Sequence, residues 1–241
     1  MTSAFRIPPL DLSSRRHYRW GQLYGCSYGI AVRKAALSVE SPMLVLVSGN
    51  QMMDELLDQL SFFQESEPLP VLSFPDWETL PYDTFSPHQD IVSRRLETLY
   101  ALPSLKRGLV ITTTATAMQR IAPAEYVQSN ALILNRGDQL DLERFKLQLD
   151  AAGYYSVPKV TQHGEFAVRG SLIDLFPTGN DRPFRIDLFD DEIDSIKLFD
   201  EETQISIEET ESIRMLPARE YPLDEQGITR FRQGFRREFE G

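Results

Sequence analysis

The sequence of 241 residues holds one cysteine, Cys26, three histidines (His17, His88 and His163) and no apolar run longer than Met43 to Val47. A single thiol makes no internal disulfide, so nothing ties the chain to an oxidising compartment, and a cytoplasmic location is expected. The three histidines are far apart and Cys26 stands alone, so metal-ligand spacing is missing and no local pattern supports a Cys–His nucleophile. The apolar run falls far short of the ~20 residues that cross a bilayer. Met1 to Trp20 carries arginines where a signal peptide needs apolar residues, which excludes membranes as partners. Also absent is the pattern GxxxxGK followed by Ser or Thr, so the backbone cradle and lysine that hold β- and γ-phosphates are missing. No cofactor is expected in this segment.

What is present describes a globular chain: 41% hydrophobic and 25% charged residues, enough for one or two domains with a core of their own. The net charge of −11 is unevenly spread. Asp187, Asp190, Asp191, Glu192, Asp194, Asp200, Glu201, Glu202, Glu208, Glu209 and Glu211 face only Lys197 within their stretch, a field that repels phosphate. A protein partner suits that region better than nucleic acid. Arg6, Arg15, Arg16, Arg19, Arg33 and Lys34 face only Asp11 at the start of the chain; without interleaved aromatics or glycines they read as a solvated face.

Strand and helix patterns alternate through the first half. Met43–Ser48, Leu69–Phe74 and Leu109–Thr113 read as buried strands. Helices are expected over Gln51–Phe63 with Asn50 as cap, over Ile91–Leu102 before Pro103, and over Ala115–Ile121 before Pro123. That alternation predicts an α/β fold with a parallel sheet. Near residue 130 the pattern changes to a smaller antiparallel α+β unit. It has a strand at Ala131–Leu134, a helix capped by Asp141, and strands at Phe166–Arg169, Leu172–Phe176, Phe184–Phe189, Ser195–Phe199 and Ser212–Leu216. Asp190 to Asp194 resembles a helicase acidic box but, lacking a phosphate loop to serve, reads as an exposed turn. In the last segment Ile228, Phe231, Phe235 and Phe239 form a helical aromatic stripe that needs a surface to cover it.

Alternation sorts the residues of one strand. Phe184, Ile186 and Leu188 share a core face, which leaves Arg185, Asp187 and Phe189 on the other; the same rule puts Arg169 outward. If the two strands are neighbours, the outer face carries two guanidiniums, carboxylates and an aromatic, the composition of a protein interface. The residues alone equally allow Phe189 to pack under a loop with the arginines paired to nearby acids.

The stretches Asp76–Ile91 (DWETLPYDTFSPHQDI), Gly164–Pro177 (GEFAVRGSLIDLFP) and Arg185–Ile193 (RIDLFDDEI) closely resemble the amino-terminal region of bacterial transcription-repair coupling factors, which is in turn similar to the front of the excision-repair helicase UvrB. The resemblance covers nearly the whole chain. It implies a degenerate helicase-like (RecA-type) parallel-sheet domain at residues 1–129, an inserted UvrA-interaction-like α+β domain at 130–217, and a truncated return into the first domain at 218–241.

By the same resemblance, the family's UvrA-contacting arginines and phenylalanine fall on Arg169, Arg185 and Phe189. Gly25, Cys26, Ser27, Tyr28 and Gly29 stand where a phosphate loop would be, with Tyr28 at the lysine position and Gly29 at the hydroxyl position, which implies a dead nucleotide site. No room remains between Ser86 and Asp90 for UvrB's DNA-clamping hairpin. The implied role is a non-catalytic module that recruits the damage sensor UvrA to stalled RNA polymerase. ATP, magnesium, RNA polymerase and duplex DNA would be engaged by the rest of a longer protein. The alternative is a divergent nucleotide-dependent DNA-processing enzyme acting on its own.

Overall fold

A computed structural model describes residues 17–63, 68–80, 83–223 and 225–239. Arg6, Asp11, Arg15 and Arg16 of the basic start lie outside the described residues. The chain divides into two compact units, one from residues up to 76 together with 101–119, the other from 77–100 together with 120 onward. Among the described residues no helix is long and apolar enough to cross a membrane.

The first unit is built on a parallel sheet of three strands, β1 (Pro42–Val47), β2 (Val71–Phe74) and β3 (Gly108–Thr113), in the order β1-β3-β2. The central strand, β3, is buried at every position, which is why its sequence reads as nearly continuous apolar and small residues. Helices α1 (Ser27–Leu37) and α2 (Asn50–Phe62) contribute Ala36, Met53, Leu56 and Leu60 to a core with Val47, Leu109 and Ile111. The expected cap on α2 is displaced by one position. Gly49 holds the cap site with extended backbone, and Asn50 is the first helical residue. The helix expected over Ala115–Ile121 ends early: α4 spans Thr114–Ala117, capped by the Thr113 side chain.

The second unit contains α3 (Gln89–Ala101), α5 (Ala124–Ser129), β4 (Leu132–Asn135) and α6 (Leu142–Ala151). Pro123 ends no helix; it precedes α5, where its missing N–H costs nothing. Asp141 caps α6 by accepting the Arg144 N–H at 3.0 Å. Six strands then form one sheet: β5 (Tyr155–Ser156), β6 (Glu165–Arg169), β7 (Leu172–Leu175), β8 (Phe184–Phe189), β9 (Glu192–Phe199) and β10 (Ser206–Thr210). Their order is that of the chain, antiparallel except for the β5–β6 pair. Strand β11 (Ser212–Met215) pairs with β4. The fold is therefore α/β, a parallel-sheet unit with an α+β unit; the α+β unit, expected to be the smaller, is the larger of the two because residues 77–100 and 120–129 join it.

One face of the six-stranded sheet carries the main core, where Phe166, Ile173, Leu175, Phe184, Ile186, Leu188, Ile193 and Ile196 meet Phe145 and Leu149 of α6. Two polar joints fix the segment at residues 77–100 within this unit. Arg95 is wholly buried and ion-paired with buried Glu220, which also accepts the Trp77 indole N–H at 2.9 Å. His163 sits on the Phe176 ring with Nδ1 2.8 Å from Asp90 Oδ1 and Nε2 2.7 Å from the Asn180 carbonyl. Residues from two of the motifs that carry the family resemblance, Asp90 and Phe176, thus meet around one imidazole. The last helix, α7 (Glu225–Phe239), keeps Ile228, Phe231, Phe235 and Phe239 exposed, with the Phe235 and Phe239 rings 4.8 Å apart.

Candidate protein-docking site

The sheet's second face is formed by the residues that alternate with the core. Direct cross-strand pairing lines up Ala167, Asp174, Arg185, Lys197 and Glu209 across β6, β7, β8, β9 and β10. In the next row stand Arg169, Leu172, Asp187 and Ser195, and beyond them Phe189 opposite Glu192. Strands β6 and β8 are not neighbours. Successive hairpins put β7 between them, so Arg169 and Arg185 lie on different rows, two strands apart.

The three expected contact residues have different surroundings. Phe189 is 74% exposed at the tip of β8, held outward because Leu188 beside it is locked into the core. The Asp190–Asp191 turn follows it, with Asp190 at positive φ, and Glu192 begins β9. Arg169 is exposed and donates to the Pro158 carbonyl at 2.7 Å.

Arg185 is on the outer face as alternation requires, yet its guanidinium is not offered freely. Nε donates to Asp174 Oδ1 at 2.7 Å, Nη2 to Asp174 Oδ2 at 3.0 Å, and Nη1 to the Gln204 carbonyl at 3.3 Å. The guanidinium lies over the Phe199 ring at 4.9 Å, and its side chain is 21% exposed. The hydrogen bonds to Asp174 hold the Arg185 pKa above its ordinary value. Beneath it Val160, Ala167, Phe176 and Phe199 form a second small core. Nothing in the sequence singled out Asp174 or Phe199 as the supports of Arg185. The alternation rule gave the face of Arg185 but not its cover.

The turn that the resemblance aligns with a phosphate loop lies in the first unit. Gly25 turns the chain at φ +55°, Cys26 occupies the cap position of α1 without a side-chain cap bond, and Ser27, Tyr28 and Gly29 are its first turn. The Gly29 N–H donates to Gln59 Oε1 of α2 at 3.0 Å, and a Cβ on residue 29 would come within 2.6 Å of the same oxygen. Burial first, then the charge of Glu55, push the Tyr28 hydroxyl pKa up. The place where a phosphate would meet an ammonium and backbone donors holds a phenol, a side-chain amide and a nearby carboxylate. Residues 83–88 run directly into α3 with no strand among them. Among the described residues no group of three or more His, Cys, Asp or Glu is placed to hold a metal.

Residues 132–221, which include the whole outer face, match the model of the UvrB interaction domain. The chain is 43% identical over 239 residues to the transcription-repair-coupling factor of Haemophilus influenzae, an alignment covering 99% of this chain and 21% of that protein. It is 44% identical to that of Escherichia coli K12 over 91% of this chain and 19% of the relative, and 34% identical to that of Staphylococcus aureus USA300 over 82% and 17%. The resemblance to transcription-repair-coupling factors is thereby shown. The chain spans about a fifth of the length of these relatives.

Proposed function

We propose that the chain is a non-catalytic docking module of a cytoplasmic transcription-repair coupling factor, and that its UvrB interaction domain recruits UvrA during nucleotide excision repair. ATP hydrolysis with magnesium, translocation on duplex DNA and engagement of RNA polymerase belong, in this reading, to the remainder of the parent protein. The observation that carries the reading is Phe189, a large aromatic held 74% exposed on the UvrB interaction domain by a strand whose alternate residues are core. The contacts of Gly29 and Tyr28 support an inert first unit, since a phosphate there would face Gln59 and Glu55 instead of a lysine.

Capture of purified UvrA by this chain tests the proposal. Phe189→Ala and Arg169→Glu should each reduce capture while leaving the melting temperature unchanged; no capture by the wild-type chain would refute the docking function, and equal capture by wild type and both variants would refute this face as its site. Arg185→Glu is a poor probe, because it sets a second carboxylate against buried Asp174 and confounds binding with folding. Saturable binding of labelled ATP to the chain would instead favour a divergent nucleotide-dependent enzyme.

A further inference from the structure

The sequence suggests a face that offers two guanidiniums to carboxylates on a partner, but the structure distributes its charge differently. Arg185 is already paired with both oxygens of Asp174, and Lys197, in the same row, is 3.5 Å from Glu209. That row is closed on itself. Around Phe189 acids outnumber cations, with Arg144 sharing a groove with Asp138, Asp141 and Asp191. Glu192 is its direct cross-strand neighbour, Asp187 precedes it on the same face, and Asp190 and Asp191 form the exposed turn that follows. The contacts of these acids are to neutral groups: Ser171 Oγ donates to Asp187 at 3.4 Å and Gln139 Nε2 to Glu192 at 3.4 Å. Arg169, an exposed cation of the face, stands two strands from Asp187 across β7.

We infer that Phe189 is an apolar anchor inside an acidic collar, and that the surface receiving it on UvrA is an apolar pocket rimmed by basic residues. The inference rests on the docking function proposed above and supplies the chemistry of the partner. An exposed benzyl ring contributes affinity only when a pocket desolvates it, and the carboxylates around it are tolerated at the rim of that pocket if they meet opposite charge. The same collar would repel a surface of like charge and disfavour phosphate-rich competitors such as DNA, so it selects among partners as well as steering one in. Arg185 then serves as a strut. Through Asp174 it ties β8 to β7, and through Phe199 and Gln204 to the end of β9 and the turn after it, and so sets where Phe189 projects.

The test is the equilibrium affinity of the intact chain for UvrA across a salt series, with each variant's melting temperature recorded. Affinity of the wild-type chain should fall as salt rises from 50 to 400 mM. Asp190→Lys combined with Asp191→Lys, both in an exposed turn, should weaken binding about tenfold or more and flatten the salt dependence, and the corresponding double change to Asn should fall between. The inference is overturned if the double lysine variant binds as well as wild type, or more tightly, while Phe189→Ala still loses affinity; the docking function would then stand without the acidic collar. A wild-type chain that does not bind UvrA removes both.

Discussion

The two units of this chain treat their exposed turns in opposite ways. In the parallel-sheet unit the turn before α1 is filled from within: Gln59 engages the Gly29 N–H, and the half-buried Tyr28 phenol is influenced by Glu55. In the α+β unit the sheet keeps Phe189 in water and backs it with a main core on one face and a second small core under Arg185 on the other. A chain can fill a turn beside a helix N-terminus with its own side chains. It can equally support an exposed aromatic at the cost of local solubility. The contrast teaches that closure is recognised by which groups occupy the site, whereas a docking face is recognised by what the surrounding structure prevents from turning inward.

The largest effect should come from the buried joint of the second unit. Glu220→Ala leaves Arg95 charged, buried and without its carboxylate partner, and should lower stability by about 3–5 kcal/mol. Thermal unfolding followed by near-UV circular dichroism would show this as a lower transition for the second unit, with UvrA binding lost through unfolding. A smaller loss is expected at alkaline pH. Burial pushes the Tyr154 hydroxyl up to about 12, while it donates to the Leu216 carbonyl at 2.7 Å. The unfolded chain ionises this group from its ordinary value near 10, the folded chain does not, and so its contribution is complete below pH 10 and is lost as pH rises toward 12. The loss amounts to roughly 3 kcal/mol. Denaturant titrations at pH 8, 10 and 11 should show this slope, and Tyr154→Phe should remove it.

Phe189→Ala should separate binding from stability. An affinity loss for UvrA of about 2 kcal/mol or more is expected with a stability change within ~0.5 kcal/mol, since the ring is exposed. The smallest effect belongs to the closed loop. Gln59→Ala removes one partly buried hydrogen bond and should cost the first unit about 1 kcal/mol without creating ATP binding, because Tyr28 still occupies the lysine position. Calorimetric titration with ATP and magnesium checks this, and a measurable affinity would erase the contrast between the units.

Much of this was legible in the sequence because burial follows simple periods. Phe184, Ile186 and Leu188 alternate cleanly, so the outward placement of Phe189 follows from the pleat. Strand β10 was hidden, since Glu208 and Glu209 give an edge strand the composition of a loop. The cover over the outer face was hidden too. Ala167 is buried on that side, and Arg185 finds Asp174 only once β7 is placed beside β8. Periodicity names a face; only the tertiary pairing says whether a charge on it is free. The closure of the phosphate loop is similar. The resemblance sets Tyr28 where a lysine is expected, but the partner of the Gly29 N–H, Gln59, comes from the next helix, thirty residues on.

The contrast is tested most directly by hydrogen–deuterium exchange of the whole chain, alone, with UvrA, and with ATP and magnesium. Slowed exchange at residues 184–194 with UvrA, and unchanged exchange at 25–37 with ATP, is the predicted outcome. Protection of 25–37 by ATP, or protection by UvrA that leaves 184–194 untouched, would contradict the account.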